Sequence, residues 1–153
     1  MIYKKSWKYI LIKDSYKYYS YRLKALKNFS DISKGDIGGY VQRYHNLSQT
    51  GNCWIYNSAT VKDRAQVSEN ATISNYAVVS GNAIIFGNAK ICDYAIVNDS
   101  AKVYGHAIVS KSAWIYGDAQ VYENAYVLGH ARVFSNAKVS GNTIISGNSY
   151  INK

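Results

Sequence analysis

The chain of 153 residues contains no proline, two cysteines, one methionine and only nine acidic residues. Without proline, its turns must depend on glycine, asparagine and aspartate, which tolerate positive φ angles. Two thiols without metal-site spacing argue against a disulfide-stapled fold and favour a reducing compartment. The most apolar N-terminal stretch, residues 9–12, is too short for a signal peptide or a membrane span. We therefore expect a cytoplasmic protein that has no membrane partner.

The clearest positive feature is an alanine at every sixth residue from Ala59 to Ala137, fourteen in succession. Val or Ile follows two residues after each of these alanines, and the same phase extends from Cys53 to Ile151. A fixed short period indicates a stacked repeat architecture. A helix is excluded, because a strict period of six does not keep one face aligned at 3.6 residues per turn.

Each six-residue unit predicts a short strand and a bend, with Ala and Val or Ile pointing inward. Three bends of about 120° would close a triangular coil, and such coils would stack as parallel strands about 4.8 Å apart. The sequence therefore predicts an all-β fold, a single-stranded parallel β-helix of about six 18-residue triangular coils over residues 38–153. The alternative is an antiparallel sandwich of short strands, whose hairpins would not keep one phase for so long.

Residues 1–37 predict a cap and a connector for this β-helix. Lys8–Lys13 and Tyr18–Ala25 are expected to form a β-hairpin around a turn at residues 14–17, followed by a connector over residues 28–37. A solenoid needs such a cap, because its end coils otherwise expose the core and open strand edges. No second cap is apparent at the far end, so a filament-forming scaffold stays open as an alternative.

Two resemblances add to this interpretation. The order aliphatic-x-x-x-small-x, as in Val61–Ala65 and Val103–Ala107, resembles the signature of hexapeptide-repeat left-handed β-helices, and it implies a left-handed coil. The ordered segments Tyr21–Leu26, Gly35–Val41 and Gly51–Tyr56 resemble hexapeptide-repeat proteins of bacteriophages and prophages, often labelled polymer-forming or cytoskeletal. That second resemblance implies a phage-borne or mobile-element protein in the bacterial host cytoplasm.

The formal net charge of +9 is concentrated at the front of the chain, where residues 1–50 hold ten basic and three acidic side chains. Basic residues interleaved with tyrosines are typical of surfaces that bind RNA or single-stranded DNA. The alternative is a solvated hairpin whose lysines keep it soluble and unpaired. The residues predicted to contact a polyanion or an acidic partner are Lys4, Lys5, Lys8, Lys13, Lys17, Arg22, Lys24 and Lys27.

Residues eighteen apart should lie above one another, so the outer faces can be laid out from the sequence. One flat face is predicted to carry an apolar and aromatic strip, which would serve as an interface, most simply in a homo-oligomer. The alternative is a scatter of aromatics that suit strand surfaces. A second face is predicted to stack the rings of Phe86, Tyr104 and Tyr122. The predicted interface residues are Val78, Ile96, Trp114, Tyr116, Phe134 and Tyr150.

The corners carry the remaining candidates. A column of Asn52, Asn70, Asn88, His106, Asn124 and Asn142 predicts a ladder of side-chain hydrogen bonds. Many hexapeptide-repeat proteins are acyltransferases with a histidine base on an extended loop at a trimer interface, which makes His45, His106 and His130 the candidate bases. However, no loop interrupts the six-residue phase, and a general base needs an orienting partner and a pocket. We therefore predict no catalytic, cofactor-binding or metal-binding residues.

Together these features favour a non-enzymatic binding protein that self-associates and engages a host protein or nucleoprotein. The phage resemblance suggests one specific role, the inhibition of a nuclease-based defence complex such as CRISPR-Cas. A CoA-dependent acyltransferase of the hexapeptide type and a filament-forming scaffold are the alternatives.

Overall fold

The computed structural model describes residues 7–17 and 20–153, and it confirms the predicted all-β fold. Between residues 53 and 151 every six-residue unit forms a two-residue strand and a corner. The strands assemble into three parallel sheets that wrap one core in about six coils. This architecture is a parallel β-solenoid, and it is consistent with the left-handed β-helix that the hexapeptide resemblance implies.

The three sheets are the flat faces of the solenoid. The first face contains β1 (Tyr9–Lys13), β2 (Tyr21–Ala25), β3 (Ile37–Val41), β5 (Thr60–Val61), β8 (Val78–Val79), β11 (Ile96–Val97), β14 (Trp114–Ile115), β17 (Arg132–Val133) and β20 (Tyr150–Ile151). The second face contains β6 (Gln66–Val67), β9 (Ile84–Ile85), β12 (Lys102–Val103), β15 (Gln120–Val121) and β18 (Lys138–Val139). The third face contains β4 (Trp54–Ile55), β7 (Thr72–Ile73), β10 (Lys90–Ile91), β13 (Ile108–Val109), β16 (Tyr126–Val127) and β19 (Ile144–Ile145).

From β4 to β20 the register between coils is eighteen residues. Val78, for example, pairs with Thr60 on one side and with Ile96 on the other. The repeated alanines, from Ala59 to Ala137, are fully buried, and the Val and Ile residues that follow them from Val61 to Val133 are buried as well. The predicted closure of three units into one coil is therefore confirmed.

At the strand ends and corners, the backbone hydrogen bonds between coils run in one direction, whereas a parallel strand ladder itself contains bonds in both directions. The N–H of Thr60 donates to the carbonyl of Ala77 at 3.0 Å, and the N–H of Gln66 donates to that of Ala83 at 3.0 Å. At these positions each coil points its N–H groups toward the following coil and its carbonyl groups toward the preceding one. In the first full coil, the carbonyls of Ala59 and Val67 accept from the N–H groups of Tyr40 and Ser48, but other carbonyls have no preceding coil to bond. A buried unpaired carbonyl costs free energy.

The predicted hairpin cap is present, and it extends the first face. β1 and β2 pair antiparallel, β2 pairs antiparallel with β3, and β3 pairs parallel with β5 of the solenoid. The strands are shorter than expected at their N-terminal ends, since β1 begins at Tyr9 and β2 at Tyr21. Tyr18, the predicted start of β2, lies outside the described residues. The predicted boundary between residues 37 and 38 falls inside β3, which pairs with both parts.

Two glycines allow this cap to lie close to the first coil. A Cβ atom on Gly38 would lie 2.7 Å from the Trp54 ring, and a Cβ atom on Gly39 would lie 2.5 Å from Ile55 Cγ2. Both distances are shorter than van der Waals contact, so any larger residue would push β3 away from β4. The Gly-Gly pair is therefore a packing requirement of the junction.

Three polar side chains supply donors to the carbonyls that the first coil leaves open. Lys8 Nζ donates to the carbonyl of Cys53 at 2.8 Å, and Arg22 Nη2 donates to that of Asn57 at 3.1 Å. Asn46 Nδ2 donates to the carbonyls of Asp63 and Ala65 at 3.2 and 2.9 Å. Since residues 53, 57 and 63–65 belong to three successive corner regions, each corner of the first coil receives a side-chain cap.

Asn46 is the most completely bonded of these caps, and its removal should destabilise the solenoid. It is fully buried, and its Oδ1 also accepts from the backbone N–H groups of Gln42 and Arg43. We expect Asn46→Ala to lower the free energy of unfolding by at least about 2 kcal/mol, because it leaves several buried polar groups unpaired. Asn88→Ala, at an exposed corner, is the matched control and should be nearly neutral in chemical denaturation. Equal effects of the two substitutions would contradict the capping role.

Candidate interaction surface

The first face is one continuous sheet from the hairpin cap to the last strand. Arg22 pairs with Tyr40, Tyr40 with Thr60, and Thr60 with Val78. The same line of outward-facing positions continues through Ile96 and ends at Tyr150. The sequence predicted a basic cap and an aromatic strip as separate features, whereas the structure places them at opposite ends of one flat surface.

The strip at the far end consists of the six predicted interface residues. Tyr150 and Ile96 are 62% and 37% exposed, and Val78, Trp114, Tyr116 and Phe134 are half-buried. The strand pairing aligns Val78, Ile96, Trp114 and Tyr150 in one column, and Tyr116 stacks on Phe134 in the adjacent column. Whether the strip forms an interface stays a prediction.

The rings within this apolar strip support one another. Tyr116 and Phe134 stack with centroids 5.1 Å apart and planes 5° from parallel. Trp114 contacts Tyr116 at 4.6 Å between centroids, and its Nε1 donates to Asn98 Oδ1 at 3.0 Å. The Arg132 guanidinium lies 5.2 Å from the centre of the Trp114 ring. Side chains held in this way lose little conformational freedom when a partner covers them.

At the other end of the face, exposed lysines surround the hairpin. Lys13, Lys17, Lys24 and Lys27 are all exposed, and Lys17 Nζ lies 4.0 Å from the centre of the Tyr40 ring. Their side chains can therefore reach a polyanion or an acidic protein that lies along the cap. The two remaining predicted contacts, Lys4 and Lys5, lie outside the described residues.

The assignment of Lys8 to that basic surface is corrected by the structure. Lys8 is only 1% exposed, and its Nζ lies 3.2 Å from Cys53 Sγ as well as bonding the Cys53 carbonyl. Burial lowers the pKa of Lys8 and raises the pKa of the Cys53 thiol, because both charged forms lose hydration. Lys8 is thus a structural cap and is not available to a soluble polyanion.

Arg22 has a structural role at the junction and also contributes charge to the surface. Its Nε and Nη2 donate to the Gly38 carbonyl at 2.9 and 2.7 Å, and its guanidinium lies 4.9 Å from the centre of the Tyr40 ring. A half-buried guanidinium with these partners fixes the junction between cap and solenoid. It contributes positive charge to the face but has few donors left for a ligand.

The three candidate histidines do not come together. His106 and His130 lie exposed at different corners, and His45 is exposed beside Gln66, whose Nε2 lies 2.7 Å from His45 Nε2. Among residues 7–17 and 20–153, no cluster of three His, Cys, Asp or Glu side chains has a geometry that could hold a metal ion. Cys53 is buried and Cys92 half-buried, both as free thiols.

The second face confirms the predicted ring stack. Phe86 and Tyr104 have centroids 4.8 Å apart, and Tyr104 and Tyr122 have centroids 5.0 Å apart, with planes 5° from parallel in both pairs. Such a stack follows from the coil spacing, because identical rotamers on successive coils bring the rings to that separation.

The predicted asparagine ladder lies mainly at another corner. In the predicted column the side-chain bond is a long one, from the Asn52 N–H to Asn70 Oδ1 at 3.4 Å. The neighbouring corner carries the better ladder, in which Asn57 Nδ2 donates to Asn75 Oδ1 and Asn75 Nδ2 to Asp93 Oδ1, at 3.2 and 3.1 Å. The difference is one of backbone conformation, since Asn57 and Asn75 have φ near +58° and direct their amides along the solenoid axis.

Sequence reasoning also missed a role for the acidic residues. Five carboxylates sit at positive-φ corners and accept the backbone N–H of the residue eighteen positions later. A carboxylate that accepts a backbone N–H is a strong, charge-assisted partner. The sequence did contain a sign of this role, because a Gly or Lys stands eighteen residues after each of these acidic residues. The pairs are Asp63 with Gly81, Glu69 with Gly87, Asp93 with Lys111, Asp99 with Gly117, and Glu123 with Gly141.

Comparisons with known proteins support the solenoid interpretation. A family model described as the YdcK beta solenoid repeat matches residues 65–81 and 101–117. The Escherichia coli (strain K12) protein named uncharacterized acetyltransferase YdcK is 40% identical over 37 residues, which are 24% of this chain and 11% of that protein. The similarity thus spans about a tenth of the relative's length. Within the described residues no helix is long and apolar enough to cross a membrane.

The burial of Lys8 can be tested by amine labelling. In the folded protein we expect an acetylating reagent to modify Lys13, Lys24 and Lys27 readily and to leave Lys8 unmodified, because its amine is inaccessible and bonded. Peptide mass spectrometry would measure the extent at each site. Protein labelled in denaturant is the control and should be modified at all four. Equal labelling of Lys8 and Lys24 in the folded state would refute the buried cap.

Proposed function

We propose that this protein is a rigid, non-enzymatic binding module that associates with a second copy through the apolar strip on its first face. The observation that carries this proposal is the strip itself, in which three large rings are fixed by mutual contacts. Exposed aromatics organised in this way are enriched in protein interfaces. A twofold arrangement would place the two strips against each other.

The cap lysines at the opposite end of the same face give the dimer a separate contact surface. We propose that these lysines contact a host nucleoprotein, because exposed lysines beside tyrosine rings can bind a phosphate backbone and unstacked bases. In this view the protein is phage or mobile-element encoded, and it obstructs a nuclease-based defence complex by binding the nucleic acid of that complex through the cap lysines. The support for this role is the charge and exposure of the cap, together with the phage-type sequence resemblance.

A CoA-dependent acyltransferase is the second candidate function. Its specific support is the 37-residue similarity to a protein named as an uncharacterized acetyltransferase. That similarity is 37 residues long, about the length of two coils. The separated, exposed positions of His45, His106 and His130 favour the binding function over this alternative.

Self-association through the strip can be tested with a matched pair of substitutions. Phe134→Lys should shift the protein toward monomer in sedimentation velocity, since it places two buried ammonium groups in a twofold interface. Phe86→Lys is the control, because Phe86 also stacks on a tyrosine of the adjacent coil but lies on the second face. A monomeric wild type at all micromolar concentrations, or equal dissociation by both variants, would refute the proposed dimer.

The cap can be tested through its salt dependence. Binding to single-stranded RNA should weaken as salt rises, and the combined change of Lys13, Lys24 and Lys27 to Glu should reduce the slope of log K against log[salt] by about 2. The control reverses Lys62, Lys102 and Lys138, which are exposed on the solenoid itself. Fluorescence anisotropy would measure both. Binding that is insensitive to salt, or equally weakened by the two triple variants, would exclude the cap as the contact surface.

A further inference from the structure

A recess of about 460 Å3 lies at the corner between the third and first faces. Its lining includes Asp93, Tyr94, Lys111, Ser112 and His130. These residues belong to two adjacent columns of the solenoid, one led by Asp93 and the other by Tyr94. The recess is used neither by the core nor by the interaction surface described above.

The Tyr94 column is a stack of rings with one position vacant. Tyr76 and Tyr94 stack with centroids 5.2 Å apart and planes 6° from parallel. The next residue in the column is Ser112, which has no ring, and the one after it is His130, which has one. Two coil spacings, about 9.6 Å, separate the levels of Tyr94 and His130. A planar group at the level of Ser112 would therefore continue the stack at the spacing that the tyrosines already show.

The neighbouring column places a donor and an acceptor at the side of this vacancy. Lys111 Nζ lies 3.6 Å from Asp93 Oδ2, and the two side chains are 64% and 29% exposed. The Lys111 backbone N–H donates to Asp93 Oδ2 and holds the pKa of that carboxyl below its usual range, so Asp93 is ionised near neutral pH. Asp93 Oδ1 accepts from Asn75 Nδ2 at 3.1 Å, which leaves this oxygen one lone pair for a further hydrogen bond, and the Lys111 ammonium can donate to a second acceptor.

We propose that this recess binds a nucleobase that carries an amino group, stacked between Tyr94 and His130 with its edge against Asp93 and Lys111. Adenine and cytosine present an amino donor next to a ring-nitrogen acceptor, which complements a carboxylate next to an ammonium. Every base has a flat face, so stacking supplies affinity and the edge supplies the preference. The pair of opposite charges makes a neutral site, which favours the base over the phosphate as the recognised group.

The binding experiment uses AMP as the probe and follows backbone amide shifts by NMR. Saturable shifts are expected at residues 93–94, 111–112 and 129–130. Ser112→Tyr fills the vacancy with the chain's own ring and should weaken AMP binding by at least about tenfold, because the stacking position is then occupied. The control is Ser100→Tyr, which adds the same ring at the equivalent position of another corner, between Asn82 and Asp118, and should change the affinity by less than about twofold.

Two further ligands separate the parts of the proposal. Purine riboside 5′-monophosphate has a hydrogen atom in place of the amino group and should bind several-fold more weakly than AMP if Asp93 accepts a hydrogen bond from that group. Hexa-adenylate tests whether the site prefers a nucleotide within a strand. A site for such a nucleotide would bind hexa-adenylate more tightly, per site, than AMP. A site for a free nucleotide would bind the two equally. Absence of saturable shifts with AMP and hexa-adenylate, or undiminished binding by Ser112→Tyr, would overturn the site. Equal binding of purine riboside 5′-monophosphate and AMP would overturn the edge contact.

Discussion

The hydrogen bond from each coil to the next determines how this protein is built. Because the N–H groups that join coils at the strand ends and corners between residues 53 and 134 point the same way, the solenoid has a polarity that its regular sequence does not reveal. One end presents carbonyl oxygens, which need donors. The side chains of Lys8, Arg22 and Asn46 donate hydrogen bonds to these carbonyls. Part of the positive charge near the N-terminus thus has a structural origin rather than a role in binding.

The same hydrogen bonds fix which side chains become neighbours. With the register held at eighteen residues, outward side chains at equivalent positions of successive coils lie above one another and form a vertical column on the surface. This explains why aromatic residues stack in parallel on the first and second faces and at one corner. It also explains why carboxylates at the corners find backbone N–H groups above or below them. The surface chemistry of the solenoid is therefore organised by columns, and each column can carry a different function.

The period of six predicted the coil, the buried residues and the column that joins Val78, Ile96 and Trp114, because those properties depend on local alternation and on one repeat length. The burial of Lys8 could not be predicted in this way. Its environment is made by residues 50–53, more than forty positions later, and between Trp7 and Tyr9 a lysine looks like any solvent-exposed basic residue. The same holds for the ladder at Asn57 and Asn75, which depends on corner φ angles that composition does not specify.

The fixed eighteen-residue register also constrains how such a chain can change in length during evolution. An insertion of a single six-residue unit would keep Ala and Val pointing inward, so the core would survive. However, it would rotate everything downstream by one face, moving Trp114 and Phe134 off the surface that carries Ile96 and Val78. Only the gain or loss of a whole coil preserves both core and surface, so descendants of this protein should differ in length by multiples of eighteen residues wherever the first face is under selection.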